Sequence, residues 1–263
     1  AASMSKLLDR LYQITRGAPR AMGFATAANQ EAIPTLALLT WMGGPGKNKV
    51  APLVGAGVDA FILPRGVLGV AGLERQLKPL EGSTWGIVME QPERDRVEAY
   101  QDKGCDFVAF GIEETRVDAL EEGECGRILR IPTDLEDSLL RGLEDLPVDI
   151  ILLCKPAPEG PLSLVHLLAI SNVRSATGRY LLLEWNSELT SRELEHLRDA
   201  GVDGLVVNVE EVQPSVITTL RERINVLPRR KAKGEQRPFA VLPPTRGIGD
   251  ARPQRQEEEE EEE

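Results

Sequence analysis

Three charged side chains in this chain stand in or directly after short apolar runs: Arg130 in RILRI, Lys155 after IILLC and Glu184 after LLL. An arginine fork in such a place could hold a carboxylate or phosphate through two parallel hydrogen bonds. A lysine beside that fork and partly desolvated would have a lowered pKa, and could add to a carbonyl as a Schiff base. A carboxylate nearby could move protons. Two cations beside one carboxylate therefore point to a small anionic metabolite with a carbonyl group, and to lyase or isomerase chemistry with Lys155 and Glu184 catalytic. The competing reading is an internal ion network that only satisfies itself.

Bringing these residues together is the task of the elements that carry them. One phrase recurs ahead of four apolar runs: Gly57-Val58-Asp59, Gly104-Cys105-Asp106, Pro147-Val148-Asp149 and Gly201-Val202-Asp203. Another strand-like run and helical sequence lie between successive copies, so the phrase marks every second strand of a βα series. The eight runs are 35–41, 60–63, 84–89, 107–110, 127–131, 150–153, 180–184 and 205–208. They are apolar throughout, as strands buried on both faces of a parallel sheet must be. Helical patterns cover Ser5 to Thr15, Thr133 to Leu146, Leu162 to Thr177 and Thr190 to Ala200. In the last, Thr190 and Glu193 form a capping box and Gly201 a left-handed C-cap. The expected fold is α/β, a (β/α)8 TIM barrel over 34–225. Residues 1–33, with a helix and an extra strand at 22–27, are expected to cap its bottom. Residues 226–263 form a basic, proline-rich and finally acidic tail that is expected to be disordered.

Sites of such barrels lie at the C-terminal ends of the strands. Alternation along each strand then selects the inward residues. On this basis Arg130, Lys155 and Glu184 converge from adjacent strands five, six and seven. Glu90, Thr40, Asn186 and Asn208 join Arg130 as expected substrate contacts. The loop after strand one offers Gly43, Gly44, Gly46 and Lys47 as an anion cradle. Cys154, Trp41 and Trp185 are expected to face the helices, and His166 and His196 to have no function.

The Gly-x-Asp phrase resembles that of (β/α)8 barrels built from quarter-barrel repeats. A strand-six lysine resembles the imine lysine of barrel-type class I aldolases. The run Cys154-Lys155-Pro156-Ala157 is similar to the Lys-x-x-Pro-Ala run of 2-keto-3-deoxy-6-phosphogluconate aldolase. That resemblance implies a Schiff base at Lys155; separately, no cofactor is expected, FMN being open but disfavoured. In this chain the proline follows the lysine immediately, Arg65 stands where that family has a glutamate, and Asn186-Ser187-Glu188 replaces a glycine-rich phosphate turn. Two other classes stay open: a non-catalytic binding or assembly barrel, with homo-oligomers among its forms, and a flavin- or phosphate-sugar-binding barrel. Against FMN stands the loop Asn208-Val209-Glu210-Glu211, whose acids repel phosphate.

With 263 residues, 41% of them hydrophobic, the chain can build one large core. Its net charge of -11 owes much to the terminal Glu257 to Glu263 run, so the remainder is near balance and no nucleic-acid partner is expected. Three cysteines without CxxC spacing suit a reducing cytoplasm, and two histidines are too few for a histidine-rich metal site; Glu90, Glu184 and Glu210 could hold a divalent cation, but Arg130 and Lys155 count against it, and no metal is expected. No apolar run approaches the roughly 18–20 residues needed to span a bilayer, and no membrane partner is expected.

Overall fold

The apolar runs become eight parallel strands that close into a barrel in sequence order. They are β1 (Ala37–Trp41), β2 (Ala60–Leu63), β3 (Trp85–Val88), β4 (Phe107–Phe110), β5 (Gly126–Pro132), β6 (Ile150–Cys154), β7 (Tyr180–Glu184) and β8 (Gly204–Asn208). Closure runs from Ala37 opposite Gly204 to Trp41 opposite Asn208. This computed structural model describes residues 5–16, 33–43, 50–64, 77–113, 115–120, 125–154 and 160–229. The expected extra strand at 22–27 and the tail beyond 229 lie outside the described residues.

Alternation splits each strand between two apolar layers. The inner one contains Leu39, Ile62, Ala109, Ile128, Leu152, Leu182 and Val206. The outer one, under the helices, contains Leu38, Leu63, Val108, Leu129, Leu153, Leu183 and Val207. Both layers are buried, which is why these strands carry almost no polar residue until their ends.

The repeated aspartates are register pins at the N-terminal ends of the strands. Asp59, Asp149 and Asp203 each accept the backbone N–H of the preceding odd-numbered strand, from Leu38, Arg127 and Leu181, at 2.8–2.9 Å. Their own N–H groups donate to the carbonyls of those same residues. Each carboxylate also has an arginine: Arg10 and Arg221 on Asp59, Arg127 on Asp149, Arg174 on Asp203.

Asp106 departs from this pattern. Its carboxylate receives Ser5 Oγ at 2.7 Å and the N–H groups of Lys6 and Leu7 at 2.7 and 3.0 Å. Those are orphan donors at the start of the Lys6–Arg16 helix, where a negative charge is also favoured by the helix dipole. The anchored helix directs Leu7, Leu11 and Ile14 into the inner layer and closes the barrel bottom. Small residues make room there: a Cβ on Gly126 would stand 3.0 Å from Ser5 Oγ.

One helical expectation is corrected. The stretch from Thr133 to Leu146 is not a continuous helix but a single turn, Asp137–Leu140, and a 3-10 turn, Leu143–Asp145. Gly142 between them, weak in helices, lets both Leu140 and Leu143 be buried. The helix Ser191–Ala200 has the expected caps, with Thr190 and Glu193 reciprocally bonded and Gly201 at φ 99°.

Candidate functional site at the strand ends

Leu129 and Ile131 lie in the outer layer, so Arg130 between them points into the barrel mouth. Likewise Leu183 and Trp185 are outer, and Glu184 points inward with only 6% of its surface exposed. On β6 the inward residues are Ile150, Leu152 and, at the mouth, Cys154. This reverses the expectation that Cys154 faces the helices; Lys155 lies outside the described residues. On β1 the inward residues are Ala37, Leu39 and Trp41, which places Thr40 in the helix-facing layer. Thr40 is fully buried there and its Oγ1 has no hydrogen-bond partner. Trp41, expected among the helices, therefore takes the place in the mouth assigned to Thr40. A polar side chain suggests a polar surrounding, but parity is set by the dry neighbours on either side.

Trp41 and Arg130 meet across the mouth, with the guanidinium carbon 5.1 Å from the indole centroid. Such stacking is worth about 0.5–1 kcal/mol at an exposed site and more as water is excluded. Arg130 is half-buried, its Nε is sealed from solvent without an acceptor, and among the described residues no carboxylate stands at ion-pair distance from it. Burial pushes the Cys154 thiol up to about 11, opposed by the Arg130 guanidinium and reinforced by the Glu184 carboxylate. Cys154 is thus a protonated thiol at neutral pH. Alkylation of the native protein by iodoacetamide should leave it unmodified at pH 7–8 and accelerate as pH approaches 11. Rapid labelling of Cys154 at pH 7, read by peptide mass, would contradict this placement.

Two expected anion or substrate contacts are occupied within the protein. Asn186 Nδ2 and Asn208 Nδ2 both donate to the Glu211 carboxylate at 2.8 Å, and the Asn208 N–H donates to Asn186 Oδ1 at 2.8 Å. Together they clasp the ends of β7 and β8. A Cβ on Gly43 would collide with the Glu210 carboxylate, so an acid covers the start of the expected anion cradle. Gly44, Gly46 and Lys47 lie outside the described residues. Glu90 is exposed and borders, with Arg130, a cavity of ≈ 420 Å³. Among the described residues no group of three or more His, Cys, Asp and Glu side chains is arranged to hold a metal ion.

His166 has a structural role that its sequence did not disclose. Its Nδ1 accepts the Ser163 N–H at 3.0 Å, closing the N-terminus of the helix Leu164–Ala176. Its ring meets Trp185 edge-on at 5.1 Å on the helix side of β7. Trp185 therefore packs as expected.

A closed eight-stranded parallel barrel with its polar cluster at the strands' C-terminal ends has the architecture of a (β/α)8, or TIM, barrel. Solved structures agree. Tryptophan synthase from Mycobacterium tuberculosis matches with a TM-score of 0.56 and 13% identity, over 74% of this chain and 93% of that one. Orotidine 5'-phosphate decarboxylase from Pyrococcus horikoshii OT3 matches with a TM-score of 0.55 and 14% identity, over 71% and 98%. A mutant tryptophan synthase alpha-subunit from Pyrococcus furiosus matches at 0.54 and 9%, over 74% and 98%. At such identities the likeness establishes the fold alone. No protein-family model and no curated protein matches the chain. Among the described residues no helix is long and apolar enough to cross a membrane.

Proposed function

We propose that this barrel is an enzyme of the lyase or isomerase type, acting on a small anionic carbonyl compound at its C-terminal mouth. The observation that carries this reading is Arg130, a half-buried cation stacked on Trp41 with a sealed, unaccepted Nε and no carboxylate partner among the described residues. A guanidinium left in that condition inside an apolar barrel is costly unless a ligand completes its hydrogen bonds. A carboxylate on the substrate would do so bidentately.

Glu184, inward and nearly buried, is the proton-transfer group in this reading. In this reading Lys155, directly after the end of β6, supplies the amine; alternation, which puts Cys154 inward, no longer orients it. Its Nζ adds to the carbonyl carbon and water leaves, so the resulting iminium can accept electrons from the bond next to it. Glu184 takes up or returns the proton. Three free thiols suit a cytoplasmic setting for this chemistry. Borohydride added with a panel of 2-oxo acids should fix one substrate-sized mass on Lys155, located by peptide mass spectrometry. Absence of a Lys155 adduct with every member of the panel would remove the imine mechanism.

A further inference from the structure

We infer that the site takes a carboxylate carried on a branched aliphatic or aromatic body, a hydrophobic 2-oxo acid and not a sugar phosphate. This rests on the reading of Arg130 as the anion anchor, and it names the class of substrate that anchor serves. Three observations lead to it.

The first is where the anion cannot sit. Barrels of this fold commonly bind phosphate at the loops after β7 and β8. Here that place is built from acids and occupied amides: Glu210 lies on Gly43, and Glu211 is bonded by Asn186 and Asn208. The amides that could donate to a phosphate there already donate to Glu211. The positive pole stands instead at β5, where Arg130 enters the mouth.

The second is what lies beside that pole. The ≈ 420 Å³ cavity at Arg130 has walls supplied by Val88 and Met89 of the β3 end, Ile112 after β4, and Pro132, Leu135 and Leu139 after β5. Its size is that of a small-ligand site, and its walls match an apolar body rather than a hydroxylated one. Polyol hydroxyls would lose water against these side chains without recovering hydrogen bonds.

The third is charge. Among the described residues bordering this cavity Arg130 is the cation, while Glu90 and Glu113 stand on the same rim. One guanidinium can complement one carboxylate bidentately, and among the described residues no second cation borders the cavity to meet a second negative charge. A monocarboxylate meets that condition and a phosphate ester at neutral pH does not.

Equilibrium binding separates this inference from the reading beneath it, because no turnover is needed. The full chain is titrated calorimetrically with pyruvate, 4-methyl-2-oxopentanoate and glyceraldehyde 3-phosphate. Each buried carbon strengthens binding roughly fourfold, so the three extra carbons of 4-methyl-2-oxopentanoate should improve on pyruvate by about sixty-fold. Arg130→Gln should abolish binding of both acids. Leu139→Asp, at a half-exposed position that tolerates charge without unfolding, should bring the larger acid down to the level of pyruvate. Equal affinities for the two acids, or tighter Arg130-dependent binding of the phosphate ester, would overturn the inference and leave the anion anchor standing. Oxo-acid binding that survives Arg130→Gln, with the fold intact by circular dichroism, would overturn the anchor itself. No binding of any of the three at millimolar concentration would overturn both.

Discussion

Asp59→Ala should lower the stability of this barrel by roughly 3–5 kcal/mol, the usual result of removing one partner from a buried ion pair. The Asp59 side chain is 4% exposed and serves three donors at once. Arg10 Nε donates at 2.8 Å, Arg221 donates through both terminal nitrogens at 3.1 and 3.2 Å, and the Leu38 N–H donates at 2.9 Å. Alanine leaves all three without an acceptor. Arg221, whose side chain is only 12% exposed, cannot easily recover water. The single residue also joins the plug helix Lys6–Arg16 at the barrel bottom, β1, β2 and the last described helix, Pro214–Val226, so its loss loosens four elements together. Thermal unfolding should fall by about 10 °C for a chain of this size. Adding Arg221→Leu to Asp59→Ala should restore part of the loss, since the more buried of the two stranded charges is then gone. A measured loss below about 1 kcal/mol in chemical denaturation would show that both arginines rehydrate and that Asp59 is no keystone.

Gly86→Ala should be of similar severity for a steric reason. Gly86 is on the inward face of β3, beside the Phe107 ring that fills the lower barrel. A Cβ there would penetrate both that ring and the Phe107 carbonyl oxygen. The ring could turn, but the carbonyl belongs to the β3–β4 ladder and can move only if the strands separate. Overpacking typically costs about 1–3 kcal/mol, and a backbone collision should place this case at or above the upper end. Gly55→Ala provides the contrast, because a Cβ there meets nothing within 4 Å. Equal midpoints for Gly86→Ala and Gly55→Ala in urea unfolding would refute the argument.

Both predictions concern the scaffold, and the scaffold was the more legible part of the chain. Strand identity could be read because burial on two faces demands continuous apolar runs, and their order because Gly-x-Asp recurs ahead of every second one. Orientation was legible only where a polar residue broke the symmetry. Arg130 and Glu184 oriented β5 and β7 correctly, since a charge is expensive in the helix layer. β6 reads Ile-Ile-Leu-Leu-Cys and has no such marker. Thr40 on β1 was a false one, a hydroxyl buried without a partner.

A better signal was present in the repeat itself. The residue after each repeated aspartate, Ala60, Phe107, Ile150 or Gly204, lies on the inward side of the barrel, the last against Ala37 and Leu182. The aspartate is held to the neighbouring strand by its backbone N–H, which leaves the next side chain no other direction. Counting four residues on from Ile150 and Gly204 leads to Cys154 and Asn208, the inward positions of the mouth. Only their partners could not be counted out.

The sequence by itself determined eight strands, their order, and two of the polar residues that meet at their ends. Those properties follow from local terms, hydrophobic runs and a backbone-pinned aspartate, which repeat wherever the same residues repeat. Tertiary structure alone decided that Trp41 stacks on Arg130, that Cys154 joins them, that Glu211 occupies both asparagines and that Asp106 anchors the plug helix. Each of these depends on which side chains distant in the chain arrive at one point in space. Barrel closure sets that meeting, and no stretch of sequence contains it.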